Sequence, residues 1–250
     1  MMEKYPVIPE AEPFYYNGNR IGVLVQHGFT GTTQSMRQLG QAFAAHGYTV
    51  YGPRLKGHGT HYEDMDQTTY HDWLASAEEG YQKLRATCDD IFVAGLSMGG
   101  TIALHLALEH PEIKGIMLIN AAIRMDALEE AILDTDARFL DAIGSDIKKA
   151  GVVELAYEKT PVSSVKGLLT LMENTRSRIG HITCPALILS STEDHVVPPD
   201  NSRFIHQHLS SEDKEIVSLD HSYHVTTLDN DAEKIKQACT AFVHRLSHNQ

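Results

Sequence analysis

Three cysteines in 250 residues, Cys88, Cys184 and Cys239, are too few and too widely spaced to build a disulfide framework. Their number is odd, and no CxxC pair or zinc-type spacing can be drawn through them. They read as buried or free thiols in a reducing compartment. Positive charge is scarce as well: 21 Lys and Arg stand against 33 Asp and Glu, a formal net charge of −12. Nucleic-acid binding needs cations to neutralise phosphates, and adhesion to an anionic bilayer needs the same charges, so the balance argues against both. No apolar run approaches the ~18 residues of a membrane span, which argues against stable membrane insertion. Residues 1–13 contain acidic side chains and three prolines but no apolar h-region, so they do not read as a signal peptide. The cytoplasm is the expected compartment. Internal repeats and low-complexity tracts are missing too.

What is present is an ordinary globular composition, 42% hydrophobic and 22% charged, of a length that suits one domain or one core with a small insertion. Short apolar runs at Ile21–Gln26, 48–52, 91–95, 115–120, Ala186–Ser191 and 215–219 are strand-length. Most are continuous rather than alternating, as parallel strands covered on both faces must be. Segments with helical periodicity separate them. Met36, Leu39 and Phe43 share one face, as do Trp73, Ala77, Tyr81 and Leu84. A third helix opens at Gly99 or Gly100 and stops before Pro111, and a fourth spans 231–246 with Asn230 and Glu233 as a capping pair. The alternation predicts an α/β fold, a mostly parallel sheet with helices on both faces.

Between residues 122 and 181 the alternation fails. The spacing predicts three helices there, at Asp126–Leu133, 145–157 and 162–178, with no strand among them. Residues 1–122 and 181–250 then form the core, and residues 123–180 a helical cap. An insertion after a strand end lies on the edge where ligands bind in open α/β sheets, so the cap is expected over the site. The alternative reading makes these ordinary crossover helices.

Gly95-Leu96-Ser97-Met98-Gly99 carries the chemistry. It follows an apolar strand and opens a helix, the setting of a nucleophile elbow, whose strained backbone leaves room only for small neighbours. A serine hydroxyl is a weak nucleophile and needs a base, itself oriented by a carboxylate. In this strand–elbow–helix setting acid and base follow on loops after later strands. Thr192-Glu193-Asp194-His195 follows one strand and Asp220-His221-Ser222-Tyr223-His224 the next. Asp194 and His224 are the favoured pair; Glu193 or Asp200 could stand for the acid, and His221 for the base. The oxyanion of a tetrahedral intermediate needs backbone donors. Met98, after the nucleophile, supplies one, and Phe29 in His27-Gly28-Phe29-Thr30-Gly31 the other.

These motifs, with Pro53-Arg54-Leu55-Lys56-Gly57-His58-Gly59, Asp194–Pro199 and Ser222–Val225, resemble the bacterial monoacylglycerol lipase and carboxylesterase family of the α/β-hydrolases. The resemblance spans nearly the whole chain and is loosest between residues 125 and 144. It implies Ser97, Asp194 and His224 as triad and Phe29 and Met98 as oxyanion donors. It further implies hydrolysis of short- to medium-chain esters, including monoacylglycerols, as small-molecule substrates, without a cofactor. His221, immediately before Ser-Tyr-His, departs from the pattern and bears on the pH profile.

Other residues have two readings. His58 and His61, like His221 and His224, are three apart, but a metal would need further ligands, and they read better as loop turns and surface histidines. His206, His208 and His248 read as solvated. Glu154 could hold the hydroxyls of a glycerol headgroup or be an ordinary solvated helix residue, and Ile143 is a candidate for an apolar cap wall. Two competing functions stand beside ester hydrolysis. One is the same triad acting on a thioester or peptide, and the other is a ligand-binding signalling protein on a hydrolase scaffold.

Overall fold

The structure, a computed structural model, describes residues 2–133 and 135–247; His248 lies outside them. Its frame is a seven-stranded sheet whose central runs are apolar on both sides, because helices cover both faces. In chain order the elements begin with β1 (Phe14–Tyr16), β2 (Ile21–Gln26), α1 (Gln34–Ala45), β3 (Thr49–Gly52), α2 (Tyr62–Met65) and α3 (Tyr70–Arg85). Then come β4 (Asp90–Leu96), α4 (Met98–Glu109), β5 (Gly115–Ile119), α5 (Asp126–Leu133), β6 (Phe139–Asp141), β7 (Lys159–Pro161) and α6 (Val162–Arg176). β8 (Ala186–Ser191), α7 (Asp200–His208), β9 (Lys214–Leu219) and α8 (Ala232–Ser247) complete the chain.

The strand order is β1-β3-β2-β4-β5-β8-β9. Only β1 runs antiparallel, against β3; every other pair in the sheet is parallel. Strand side chains alternate between two cores. Leu24, Val93, Leu118 and Ile188 meet the α3, α4 and α6 side, while Val25, Phe92, Met117 and Leu189 meet the α1 and α8 side. All six expected strands are present, and so are the four core helices. The edge strand β9 is half exposed and carries Lys214 and Glu215, charges that discourage pairing with another chain.

Four details differ from the sequence expectation. The segment 145–157 is not helical but an irregular strap, with Gly144 and Gly151 at positive φ of 81° and 77°. Its apolar residues do not share one face: Ile147 and Val152 pack toward the α1 and α8 core, while Ala156 and Tyr157 face the other way, into a cavity. Strands are present in this region, since β6 and β7 form a small antiparallel pair. Finally, Asn230 and Glu233 do not cap α8. The Asn230 amide donates to the carbonyl of His221 at 2.9 Å, and Glu233 pairs with Lys236 at 2.7 Å.

Helix α6 belongs to the core as much as to the insertion, because Val165, Leu168, Leu171 and Met172 are buried on α3 and α4. On the opposite face, Phe242 fixes α8. Its ring meets Phe92 edge-on at 6.5 Å and lies over Gly115, where an added Cβ would come within 2.8 Å of it. Phe242→Ala should therefore lower unfolding stability by about 3–5 kcal/mol in urea titration, the usual cost of emptying a buried aromatic site. A loss below about 1 kcal/mol would mean that α8 is not held by this contact.

Candidate active site

The nucleophile candidate sits where β4 runs into α4 in a single residue. Ser97 has φ 56° and ψ −119°, a conformation unfavourable for any residue with a side chain. The turn closes because its neighbours lack Cβ atoms. A methyl on Gly95 would overlap the Gly99 carbonyl, one on Gly99 would overlap Gln26 O, and one on Gly100 would come within 2.5 Å of Ala121 Cβ. Hydrogen bonds from Ser97 N–H to Ile119 O (2.9 Å) and from Ala122 N–H to Ser97 O (3.2 Å) hold the elbow against the end of β5.

The loops after β8 and β9 bring acid and base together. Asp194 Oδ2 lies 2.8 Å from His224 Nδ1, and the two side chains are only 1% and 9% exposed. Asp194 Oδ1 accepts the N–H groups of Val196 and Val197, each at 2.8 Å, so the carboxylate is fully satisfied and fixed. The bond to Nδ1 leaves Nε2 as the ring nitrogen available to another group, and His224 lines the same cavity as Ser97. The alternatives lie elsewhere: Glu193 pairs with Lys148 and Asp200 with Arg203, both well exposed, and the His221 side chain faces solvent.

Two backbone groups border Ser97. Met98 is the first residue of α4, so its N–H has no partner within the helix. Gly28, just before Phe29, approaches so closely that an added Cβ would be 3.4 Å from Ser97 Cβ. The buried His27 fixes this loop. Its Nδ1 is 2.9 Å from Gly28 O, and its Nε2 accepts the Leu55 N–H at 3.2 Å, which requires the neutral ring. Burial pushes its pKa down to about 4, so the ring stays neutral in ordinary buffers. His58 is fully buried against His27 and Trp73, not on the surface as the sequence suggested; burial holds it neutral, well below its ordinary value.

A largely apolar cavity that opens to solvent lies over Ser97. More than half of its lining comes from residues 123–180, among them Leu128, Leu140, Tyr157 and Leu168. Ile143 lines it at the mouth and is otherwise 66% exposed. Glu154 is not helical, and it is only partly exposed. It points inward against Gly31, where an added Cβ would be 2.6 Å from its Oε1. Burial pushes its pKa up to about 7, against the smaller opposing pull of His224 and the Ser35 hydroxyl. Tyr157 and Asn120 were not singled out in the sequence. Tyr157 donates to Gly57 O at 2.8 Å and accepts from Thr60 N–H at 2.9 Å, tying the insertion to the Gly57-His58-Gly59 turn. Asn120, at φ 44°, donates to His224 O at 2.7 Å and accepts Ser191 N–H at 2.7 Å.

An open, mostly parallel sheet with a strained serine at the central strand-to-helix turn defines a serine hydrolase of the α/β-hydrolase fold. Residues 18–231 match the model of the serine aminopeptidase S33 family, and the chain belongs to that family. It is 55% identical to a thermostable monoacylglycerol lipase of Bacillus sp. (strain H-257), over 97% of this chain and 98% of the relative. It is 29% identical to a carboxylesterase of Bacillus subtilis (strain 168), over 94% and 97%. A solved structure from work on LipS and LipT, two metagenome-derived lipolytic enzymes, superposes with a TM-score of 0.93 at 48% identity, covering 96% of this chain and all of that one.

Glu154 makes the site's pH response testable. Its folded pKa is raised above the ordinary 4.5, so the native state binds more protons than the unfolded one between about pH 4.5 and 7. Its stabilising contribution is complete below that window and is lost as pH rises through 7. Glu154→Gln cannot ionise and should show a flatter decline in Tm from pH 5 to 8 than the wild type. Parallel curves would mean that the carboxylate is solvated.

Proposed function

We propose that the chain hydrolyses monoacylglycerols and other short- to medium-chain carboxylic esters through an acyl-enzyme on Ser97. The observation that carries this reading is the buried Asp194–His224 pair opening onto the same apolar cavity as the strained serine. His224 takes the Ser97 proton as the hydroxyl attacks the ester carbonyl. The N–H groups of Phe29 and Met98 receive the oxyanion, and His224 passes its proton to the departing alcohol. Water repeats the sequence and frees the acid. Asp194 holds the imidazole in the required tautomer and stabilises its charged form. These steps use groups of this chain and one water.

Residues 123–180 act as a cap. Leu128, Leu140 and Ile143 provide an apolar wall for the acyl chain, and Glu154 is the polar group that takes the alcohol end. A carboxyl that titrates near neutrality both donates and accepts, which suits a pair of glycerol hydroxyls. The two similar relatives, named as a monoacylglycerol lipase and a carboxylesterase, favour the same substrate class. Three unpaired cysteines support a cytoplasmic location, and among the described residues no helix is long and apolar enough to cross a membrane.

Ser97→Ala should fold normally, lose roughly 10⁶-fold in kcat, and no longer take an organophosphonate label by intact mass. Asp194→Asn should cost roughly 10⁴-fold. His224→Ala should be nearly inactive while His221→Ala stays within about tenfold, because one imidazole serves the serine. Equal losses at the two histidines, or a labelled Ser97→Ala, would refute the assignment.

For the cap, kcat/KM across a series of acyl lengths should peak where the cavity is filled, each buried methylene being worth up to about 0.8 kcal/mol. Ile143→Ala and Ile143→Phe should move that peak while leaving the rate on acetate esters nearly unchanged. Three superimposable profiles would remove Ile143 from the acyl site.

A further inference from the structure

The strap at residues 144–157 does more than wall the cavity, because it is bonded to both catalytic loops. Asp146 Oδ2 accepts the backbone N–H of His224 at 3.0 Å and that of His195 at 3.2 Å. Its Oδ1 lies 2.8 Å from His195 Nδ1, and its own carbonyl accepts the Val225 N–H at 3.1 Å. A single residue of the insertion therefore grips the peptide that carries the base and the peptide that follows the acid. The carboxylate is 13% exposed, so these bonds are largely shielded from water.

The core reciprocates one turn of chain further on. Asp229, itself buried, accepts the N–H groups of Lys148 (2.7 Å) and Lys149 (2.9 Å) from the strap and that of Tyr223 (2.9 Å) from the base loop. Lys148 then reaches Glu193, beside the acid, at 2.7 Å and covers the Tyr223 ring at 5.1 Å. None of these bonds is a helix or strand bond. They exist only if strap, acid loop and base loop are assembled together.

We infer that Asp146 is a positioning residue for the reaction: it sets the backbone of His224 and of the Asp194–His195 loop, so that the wall of the substrate cavity and the aim of the base are one mechanical unit. The inference rests on the proposed roles of Ser97, His224 and Asp194. Loss of the Asp146 carboxylate frees the His224 peptide to shift, and a shift of about 1 Å at a catalytic group can cost roughly 10²-fold in rate.

The test uses the full-length chain and p-nitrophenyl acetate, an ester too short to need the acyl wall. Asp146→Ala should lower kcat by about 10²-fold with KM within about threefold, the pattern of a defect confined to the transition state. The low-field proton resonance of the His224–Asp194 bond should broaden or disappear. Asp146→Asn keeps an oxygen for both backbone N–H groups and should recover kcat to within about fivefold of wild type. If Asp146→Ala does not fold, Asp146→Ser carries the same expectation, since its hydroxyl oxygen sits one bond nearer the backbone than Oδ2 and falls short of both N–H groups. A variant with a lowered Tm but wild-type kcat and an intact resonance would overturn the inference, as would a change in KM alone. Retained turnover in His224→Ala would instead overturn the triad reading beneath it. An inactive His224→Ala beside a fully active Asp146→Ala would leave the triad standing and sink Asp146 alone.

Discussion

Ser97 is held at a φ of 56°, and that one unfavourable backbone conformation organises what surrounds it. A residue in such a region costs of order 1–3 kcal/mol and persists only where neighbours over-determine it. Here the neighbours are the bare faces of Gly95, Gly99 and Gly100, which let α4 close onto β4, β2 and Ala121 with no side chain of their own between. Helix α4 is buried almost all round, so the packing of the sheet's central layer and the aim of the nucleophile are set together. Relaxing the elbow would separate α4 from the sheet.

The same economy explains which parts could be read from the sequence. The elbow at Ser97 and the two loops that pair Asp194 with His224 were legible because such turns place particular residue types at fixed points in a strand–helix order. The six core strands were legible because burial on both faces demands unbroken apolar runs. The strap was not. Its apolar residues occur at helix-like intervals, yet Ile147 and Val152 serve one core while Tyr157 and Ala156 serve the cavity. Gly144 and Gly151 turn the chain between them. What holds the strap is a set of carboxylate bonds to backbone N–H groups from Asp146 and Asp229, and such bonds leave no periodic trace. His58 was misread for a related reason. A histidine in a glycine-rich turn looks solvent-facing until Trp73 and His27 close over it.

Charge in the cavity is arranged by burial more than by pairing. Burial pushes the Glu154 carboxyl up to about 7 against the smaller pull of His224, which lines the same cavity. Asp194, by contrast, spends one oxygen on two backbone N–H groups and the other on the imidazole. Two carboxylates near one small cavity thus stand in different surroundings: one is fixed by its hydrogen bonds, the other is governed by burial.

The buried, neutral His27 has a consequence for how this enzyme meets acid. The Gly28-Phe29 loop depends on that ring accepting from Leu55 N–H, and the ring does not take up a proton until about pH 4. Through the range of common buffers the tie between this loop and Leu55 is therefore indifferent to pH.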